Sequence, residues 1–291
     1  MKENRYIIAM SGASGFVGSN LCRKFQETGW EIIRLGRKEF ALSPGELAKH
    51  MQGASAVINL AGAPVISRWT EKYKKIMYDS RVGLTEKLVN ACALMKPLPS
   101  VFLSTSAIGY YAATGIHTED DHVPADDFLG HLSRDWEQEA LRAKAFGCRT
   151  AIFRFGVVLG QGGGIVKKML LPFKLGLGGT IGNGSQPFSW IHIKDLARVF
   201  QAAMNDSTYE GVYNMTAPNP TTNLGLTRAL GKALSRPTIL PVPMFVLRLL
   251  YGEGAQIITS GQTVMPKRLL DNGFQFEFAS IEDAVTCCLK S

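Results

Sequence analysis

The first residues with chemistry to offer are glycines. Ser11-Gly12-Ala13-Ser14-Gly15-Phe16-Val17-Gly18 carries Gly-x-x-Gly-x-x-Gly spacing, after an apolar run at residues 6–10 and before helical spacing over 16–28. Small residues in such a turn let the chain reverse tightly and let its backbone approach a pyrophosphate. The helix that follows meets the phosphates with free N–H groups and the positive end of its dipole. Glycine-rich turns are common, so the signal comes from their place between a first strand and a first helix. The candidate phosphate-binding residues are Gly12, Ser14, Gly15, Phe16, Val17 and Gly18.

A second signal lies at the end of the next strand, residues 31–35. Dinucleotide sites for NAD usually carry an acid there, about 20 residues past the glycines, to hold the ribose hydroxyls. Here the chain reads Leu35-Gly36-Arg37-Lys38. No acid stands at that point to repel a 2′-phosphate, and Arg37 could grip one through two parallel N–H bonds. An ordinary basic turn would look the same. The expected cofactor is NADP(H), with Arg37 and Lys38 at its 2′-phosphate. Asn59, Leu60 and Ala61 end the third strand (56–60) and are expected beside the cofactor, where small Ala61 and Gly62 permit close approach.

The fourth strand, 101–104, runs into Thr105-Ser106-Ala107-Ile108-Gly109-Tyr110-Tyr111. A hydroxyl at a sheet edge can orient a carbonyl beside a hydride donor. Taken alone, the stretch is equally a turn of small polar residues.

These groups need a scaffold, and the chain supplies one. Short apolar runs alternate with helical patterns: a helix over 70–95 stopped by Lys96-Pro97, a helix over 131–146, and a fifth strand over 150–155. Such alternation implies parallel strands joined by right-handed helical crossovers. The expected fold is α/β, a Rossmann-type doubly wound parallel sheet with helices on both faces. Residues 1–160 form the NADP-binding domain, and 161–291 a smaller C-terminal substrate lobe interwoven with it. Glycines cluster at 160–164 and 176–184, 188–193 and 211–215 read as strands, and the last seventy residues read as mainly helical.

Composition narrows the function classes. Of 291 residues, 46% are apolar and 19% charged, which suits a chain with a sizeable core. No apolar run is long enough to span a bilayer, and residues 1–5 lead directly toward a strand, without a signal peptide. Five cysteines without Cys-x-x-Cys spacing read as a reduced, cytoplasmic protein with no zinc site. Residues 68–87 contribute six cations and three acids to the net charge of +8, and there the interspersed acids and the lack of an aromatic platform argue against nucleic acid. His117-Thr118-Glu119-Asp120-Asp121-His122 packs potential ligands into one loop, but metal sites need convergence in space, and none is expected.

With these motifs in place, the chain resembles an extended short-chain dehydrogenase/reductase of the atypical epimerase-family branch. The likeness covers essentially the whole chain. It rests on the glycine turn, Asn59-Leu60-Ala61-Gly62, Asp135-Trp136-Glu137, Arg154-Phe155-Gly156-Val157-Val158-Leu159-Gly160 and Phe188-Ser189-Trp190-Ile191-His192-Ile193-Lys194-Asp195. Met265-Pro266-Lys267-Arg268-Leu269-Leu270 with Gly273-Phe274 is similar to that branch's C-terminal module. The resemblance implies NADP(H), with Gly156 and Val157 in the cofactor wall. It also implies Ser106 at the reacting oxygen and Tyr110 lining the pocket. It makes His192 and Asp195 structural.

Two departures matter. Extended members carry Tyr-x-x-x-Lys at the start of the next helix, a proton donor and the cation that activates it. Counting back from Glu137 puts Leu129 and Ser133 at those positions. Tyr110 or Tyr111 would have to replace the tyrosine, with a pKa near 10 unless Arg81 or Arg134 approaches. Arg81 itself replaces an asparagine and could reach cofactor phosphates or a substrate anion.

The expected activity is oxidation, reduction or epimerisation of a small polar substrate, nucleotide-sugar-like in class, with Ser106, Tyr110 and Tyr111 as catalytic residues. The alternative is a non-catalytic NADP(H)-binding regulator. Residues 167–184, rich in glycine and lysine, form an anion-friendly wall. The expected partners are the small molecule and a second copy as a homodimer, with no nucleic acid and no membrane.

Overall fold

The computed structural model describes residues 6–290; residues 1–5, expected to lead into the first strand, lie outside them. The first half of the chain builds β1 (Ile7–Ser11), α1 (Phe16–Glu27), β2 (Glu31–Leu35), α2 (Pro44–His50) and β3 (Ala56–Asn59). Then come α3 (Glu71–Tyr78), α4 (Leu84–Leu94), β4 (Val101–Ala107), the short β5 (Ile116–His117), α5 (Phe128–Leu141) and β6 (Arg149–Phe155). The rest supplies β7 (Val157–Leu159), α6 (Gly164–Lys174), β8 (Pro187–Phe188), β9 (Trp190–His192), α7 (Ile193–Asn205) and β10 (Gly211–Met215). It ends with β11 (Thr221–Thr222), α8 (Asn223–Leu234), α9 (Met244–Tyr251), α10 (Gln256–Thr259), β12 (Thr263–Val264), α11 (Lys267–Asp271) and α12 (Ile281–Leu289).

The main sheet has six strands in the order β10-β6-β4-β3-β1-β2, every pairing parallel. Alternation along each strand feeds two cores. Ile8 and Met10 join Leu21 and Phe25 of α1 and Val199 and Phe200 of α7. Ala9 and Val57 face the other way, onto Leu47 of α2 and Leu88 and Cys92 of α4. The chain leaves β1 for β2 on one side and returns to β3 on the other. That reversal opens a crevice at the carboxyl ends of β1 and β3, where ligands bind in open α/β sheets.

The long helix expected over 70–95 exists but is not uniform. Thr70 caps α3, accepting from Tyr73 N–H at 3.2 Å, and a π-helical turn at Asp79–Gly83 joins α3 to α4. α5 starts earlier than the apolar pattern indicates, because Asp127 caps it, its carboxylate accepting from Gly130 N–H at 2.8 Å. α2 has no counterpart in the sequence reading. Its signal is a capping box, with Ser43 and Glu46 exchanging side-chain and backbone bonds around Pro44.

The lobe has its own core of Trp190, Leu226, Leu230, Ile281 and Val285. Small ladders stitch it together: β7 with β9, β8 with β11, and β12 back onto β5. β10 and α7 lie past residue 160 but belong to the main sheet and its α1 face. Among the described residues, no helix is long and apolar enough to cross a membrane.

Candidate functional site

Three glycines shape the turn after β1, each for a different reason. Gly12 has φ of 66°, and a Cβ there would lie 2.8 Å from the Leu60 carbonyl. At Gly18 a Cβ would lie 2.2 Å from the Gly12 oxygen, so helix and loop touch backbone to backbone. Gly15 is open: a Cβ would meet only the Gly12 oxygen, at 3.3 Å. It is the N-cap of α1 and provides no side-chain cap. The first N–H groups of α1 are thus left for an anion. Exposed Ser14 borders this opening, whereas Val17 packs into the core beside α7. Phe16 is a packing post, its ring filling the space that a Cβ on Gly163 would need.

At the end of β2, Arg37 and Lys38 are exposed. Arg37 has no hydrogen bond or ion pair among the described residues. The sequence reading missed Glu39. Its carboxylate accepts from Gly36 N–H at 2.7 Å, and that bond holds it below the usual carboxylate range. An acid therefore does stand at this strand end, three positions late and tied to backbone.

Asn59 is a knot in the sheet edge. Its side chain accepts from Ser11 Oγ at 2.7 Å and donates to Thr85 Oγ1 at 2.8 Å. Ser11 Oγ in turn accepts from Leu60 and Ala61 N–H at 3.0 and 3.1 Å. These bonds fix the floor of the crevice; Asn59 itself is fully buried. Arg81, in the π turn, lies over that floor. Its guanidinium donates to the Ala63 and Met77 carbonyls at 2.9 and 3.3 Å, and its Cζ lies 3.0 Å from where a Cβ of Gly62 would stand. It has no carboxylate partner among the described residues. Burial pulls its pKa down to about 10.

The hydroxyl cluster is arranged around a cation the sequence reading passed over. Arg154 grips Glu137 with two N–H bonds of 2.7 Å. It donates a third, of 2.8 Å, to Tyr111 Oη, and stacks 3.4 Å from the Tyr110 ring centroid. Ser106 Oγ donates to Glu137 Oε1 at 2.6 Å. Tyr111 Oη donates to Asn214 Oδ1 at 2.8 Å, and Tyr110 Oη to the His122 carbonyl at 2.6 Å.

This corrects two expectations. Arg134 pairs with Asp135 and Arg81 stacks on Trp136, so neither is the cation of the tyrosines. The Tyr111 pKa is not near 10; burial outweighs Arg154 and pushes it to about 12. Leu129 packs 3.3 Å from where a Cβ of Gly109 would stand, and Ser133 is buried beside it.

The remaining candidates are structural in surroundings. Gly156 has no room for a side chain, since a Cβ would lie 2.7 Å from Ser189 O. Val157 sits in β7, its N–H on Ser189 O at 2.9 Å. His192 caps α7 by accepting from Lys194 N–H at 3.3 Å, and burial pulls its pKa down to about 4. Asp195 accepts from Glu277 and Phe278 N–H, both at 2.9 Å. The acidic loop does not converge. His117 bonds Asp121, while buried Glu119 turns inward to accept from Asn214 N–H at 2.8 Å and Arg268 N–H at 3.3 Å.

The crevice geometry invites comparison with known proteins. The profile of the NAD dependent epimerase/dehydratase family matches residues 8–216, and a domain of unknown function, DUF1731, matches residues 242–286. The chain belongs to the NAD dependent epimerase/dehydratase family. It is 36% identical over 307 residues to the chloroplastic epimerase family protein SDR39U1 homolog of Arabidopsis thaliana, covering 99% of this chain and 88% of that one. To epimerase family protein YfhF of Bacillus subtilis it is 34% identical over 293 residues, covering 96% of each. The crystal structure of human epimerase family protein SDR39U1 (isoform2) with NADPH superposes with a TM-score of 0.90 at 34% identity, covering 97% of this chain and 98% of that one.

Proposed function

We propose that this chain binds NADP(H) in the crevice of β1 and β3 and uses it for oxidoreduction or epimerisation at a carbonyl or alcohol carbon of a small substrate. The observation that carries the reading is the uncapped start of α1 behind Gly12 and Gly15, with Arg37, unpaired among the described residues, at the neighbouring strand end. The human relative crystallised with NADPH supports it. Gly12, Gly15 and the first turn of α1 would hold the pyrophosphate. Arg37 and Lys38 would hold the 2′-phosphate, and Arg81 a further anionic group over Gly62. When bound, the cofactor supplies hydride at the nicotinamide.

The test is a fluorescence titration with NADPH and NADH. Arg37→Ala should weaken NADPH at least tenfold and NADH little, the loss of one charge-assisted hydrogen bond of about 1.5–3 kcal/mol. Equal losses for both cofactors would remove Arg37 from the 2′-phosphate.

The chain's own residues would then orient the reacting oxygen and move its proton. Ser106 can release Glu137 without stranding it, because Arg154 still holds both carboxylate oxygens. Tyr110 can release its proton at the cost of one loop carbonyl, whereas freeing Tyr111 strips both Arg154 and Asn214. Ser106 and Tyr110 are therefore the working pair, and Tyr111 positions Arg154.

A second reading has its own support. Every hydroxyl of the cluster is already engaged within the protein, as suits a non-catalytic NADP(H)-responsive regulator. Turnover separates the two. With an active substrate, Ser106→Ala and Tyr110→Phe should each lose at least tenfold in kcat while still binding NADPH. Parent-like rates in both would reject this pair.

A further inference from the structure

One helix of the lobe leaves much of its apolar surface uncovered. α9 buries none of its side chains, yet Arg248 is the only charged residue in Met244–Tyr251. Phe245 is 70% exposed, Leu249 74% and Leu250 58%. A helix apolar nearly all round is one that something covers.

Its two ends are tethered. At the start, Val242 N–H donates to Thr180 O at 2.7 Å and Gly182 N–H to Val242 O at 3.0 Å. At the finish, Trp69 N–H donates to Tyr251 O at 3.4 Å, and Lys74 pairs with Glu253 at 2.6 Å. α9 is thus a strap, about 12 Å long at 1.5 Å per residue. It runs from the lobe to the loop that leaves β3, on the sheet edge that bears the glycine turn. A cavity of about 480 Å³ opens at its C-terminal end, lined by Arg248, Glu253, Gln256 and Thr259 among others. That is the size range of small-molecule sites. Glu253 is neutralised by Lys74; Arg248 has no ion pair among the described residues.

The two segments joined at the strap's first tether are one-sided in charge. Residues 161–194 and 211–252 contain no aspartate or glutamate. They do contain Lys167, Lys168, Lys174, Arg236 and Arg248. The two segments meet where Arg236 Nε donates to Lys174 O at 3.0 Å, and Leu171 and Leu175 stand exposed on the first of them. Apolar side chains beside Arg248, with Glu253 of the cavity lining already paired to Lys74, complement an anion that carries an apolar chain.

We infer that the strap and its cavity take an amphipathic anion, an apolar chain ending in a carboxylate or phosphate. Arg248 binds the head group, and Phe245 and Leu249 bind the chain. This rests on the cofactor reading above and names a class of substrate for that cofactor. It also distinguishes this site from one built for a nucleotide sugar, whose ligand is polar throughout.

The experiment uses the full chain and cis-parinaric acid, a fluorescent fatty acid, titrated with and without NADPH. Saturable binding is expected, displaced by dodecyl phosphate and not by UDP-glucose. Arg248→Ala and Leu249→Asp should each weaken it at least tenfold while leaving NADPH binding unchanged. Absence of parinaric binding, or parent-like binding by both variants, would overturn the proposal. So would displacement by UDP-glucose, which assigns the site to nucleotide sugars. Two controls use Leu249→Asp. Sedimentation with phosphatidylglycerol vesicles that this variant abolishes would overturn the proposal in favour of a membrane surface. A dimer mass in light scattering that it halves would do so in favour of a second copy. NADPH binding by the parent is read separately, so its failure would sink the cofactor reading and leave the parinaric isotherm to stand or fall alone.

Discussion

Arg154 joins three groups that would otherwise be stranded in the interior: Glu137, Tyr111 and, through Glu137, Ser106. Buried polar groups left without partners cost far more than their bonds contribute when made. Tyr111→Phe should therefore lower stability at pH 7 by about 1–3 kcal/mol in urea unfolding, because Arg154 and Asn214 each lose a partner. The same residue gives a pH signature. Its folded-state pKa of about 12 lies above the ordinary 10. Its contribution is thus fully present below pH 10 and is lost as pH rises through 12. The parent should lose stability across that window, and Tyr111→Phe should lose less; matching alkaline limbs would contradict the burial argument. Little of this was legible beforehand. The glycines, Arg37 and Ser106 announce themselves by type and spacing. Arg154 reads as one more strand residue, because its partner stands a helix away in sequence and meets it only through tertiary packing. Glu39 was missed because it reaches back to Gly36 from outside the strand, where the spacing rule does not look.

Elements were more legible than their joints. Strand alternation and helix spacing follow from which side chains must face a core, and β2 and β10 begin and end where the pattern says. The π turn at Asp79–Gly83 has no such marker, since it changes the winding of a helix and leaves its apolar spacing nearly intact. The glycine turn allows a sharper test of element against site. Gly18→Ala drives a methyl group into the Gly12 carbonyl, so α1 must move off β1; a loss of thermal stability should accompany the loss of NADPH binding. Gly15→Val meets far less protein, so it should melt close to the parent yet fail to bind NADPH, its branched side chain lying where the pyrophosphate approaches. Melting curves and NADPH titrations of both variants check this. A Gly15→Val protein that binds NADPH normally would show that the phosphates lie elsewhere.

At the scale of the molecule, the main sheet and the lobe are hard to separate. Glu119 ties β10 to α11, Asp195 of α7 holds the approach to α12, and β12 pairs with β5. Urea unfolding should accordingly be a single transition, with far-UV circular dichroism and tryptophan fluorescence coinciding; two separated transitions would mean that the lobe folds by itself. The strand order has a further consequence, in the time it takes to make the protein. β6 is complete at Phe155, but its outer neighbour β10 ends only at Met215. At about 5–20 residues per second, a ribosome needs roughly 3–12 s to cover that gap. For those seconds the nascent sheet ends in an open edge carrying Ile152 and Phe153, residues that the finished protein hides completely. A chain released early, anywhere between β6 and β10, keeps that edge for good and becomes a substrate for chaperones or for its own aggregation.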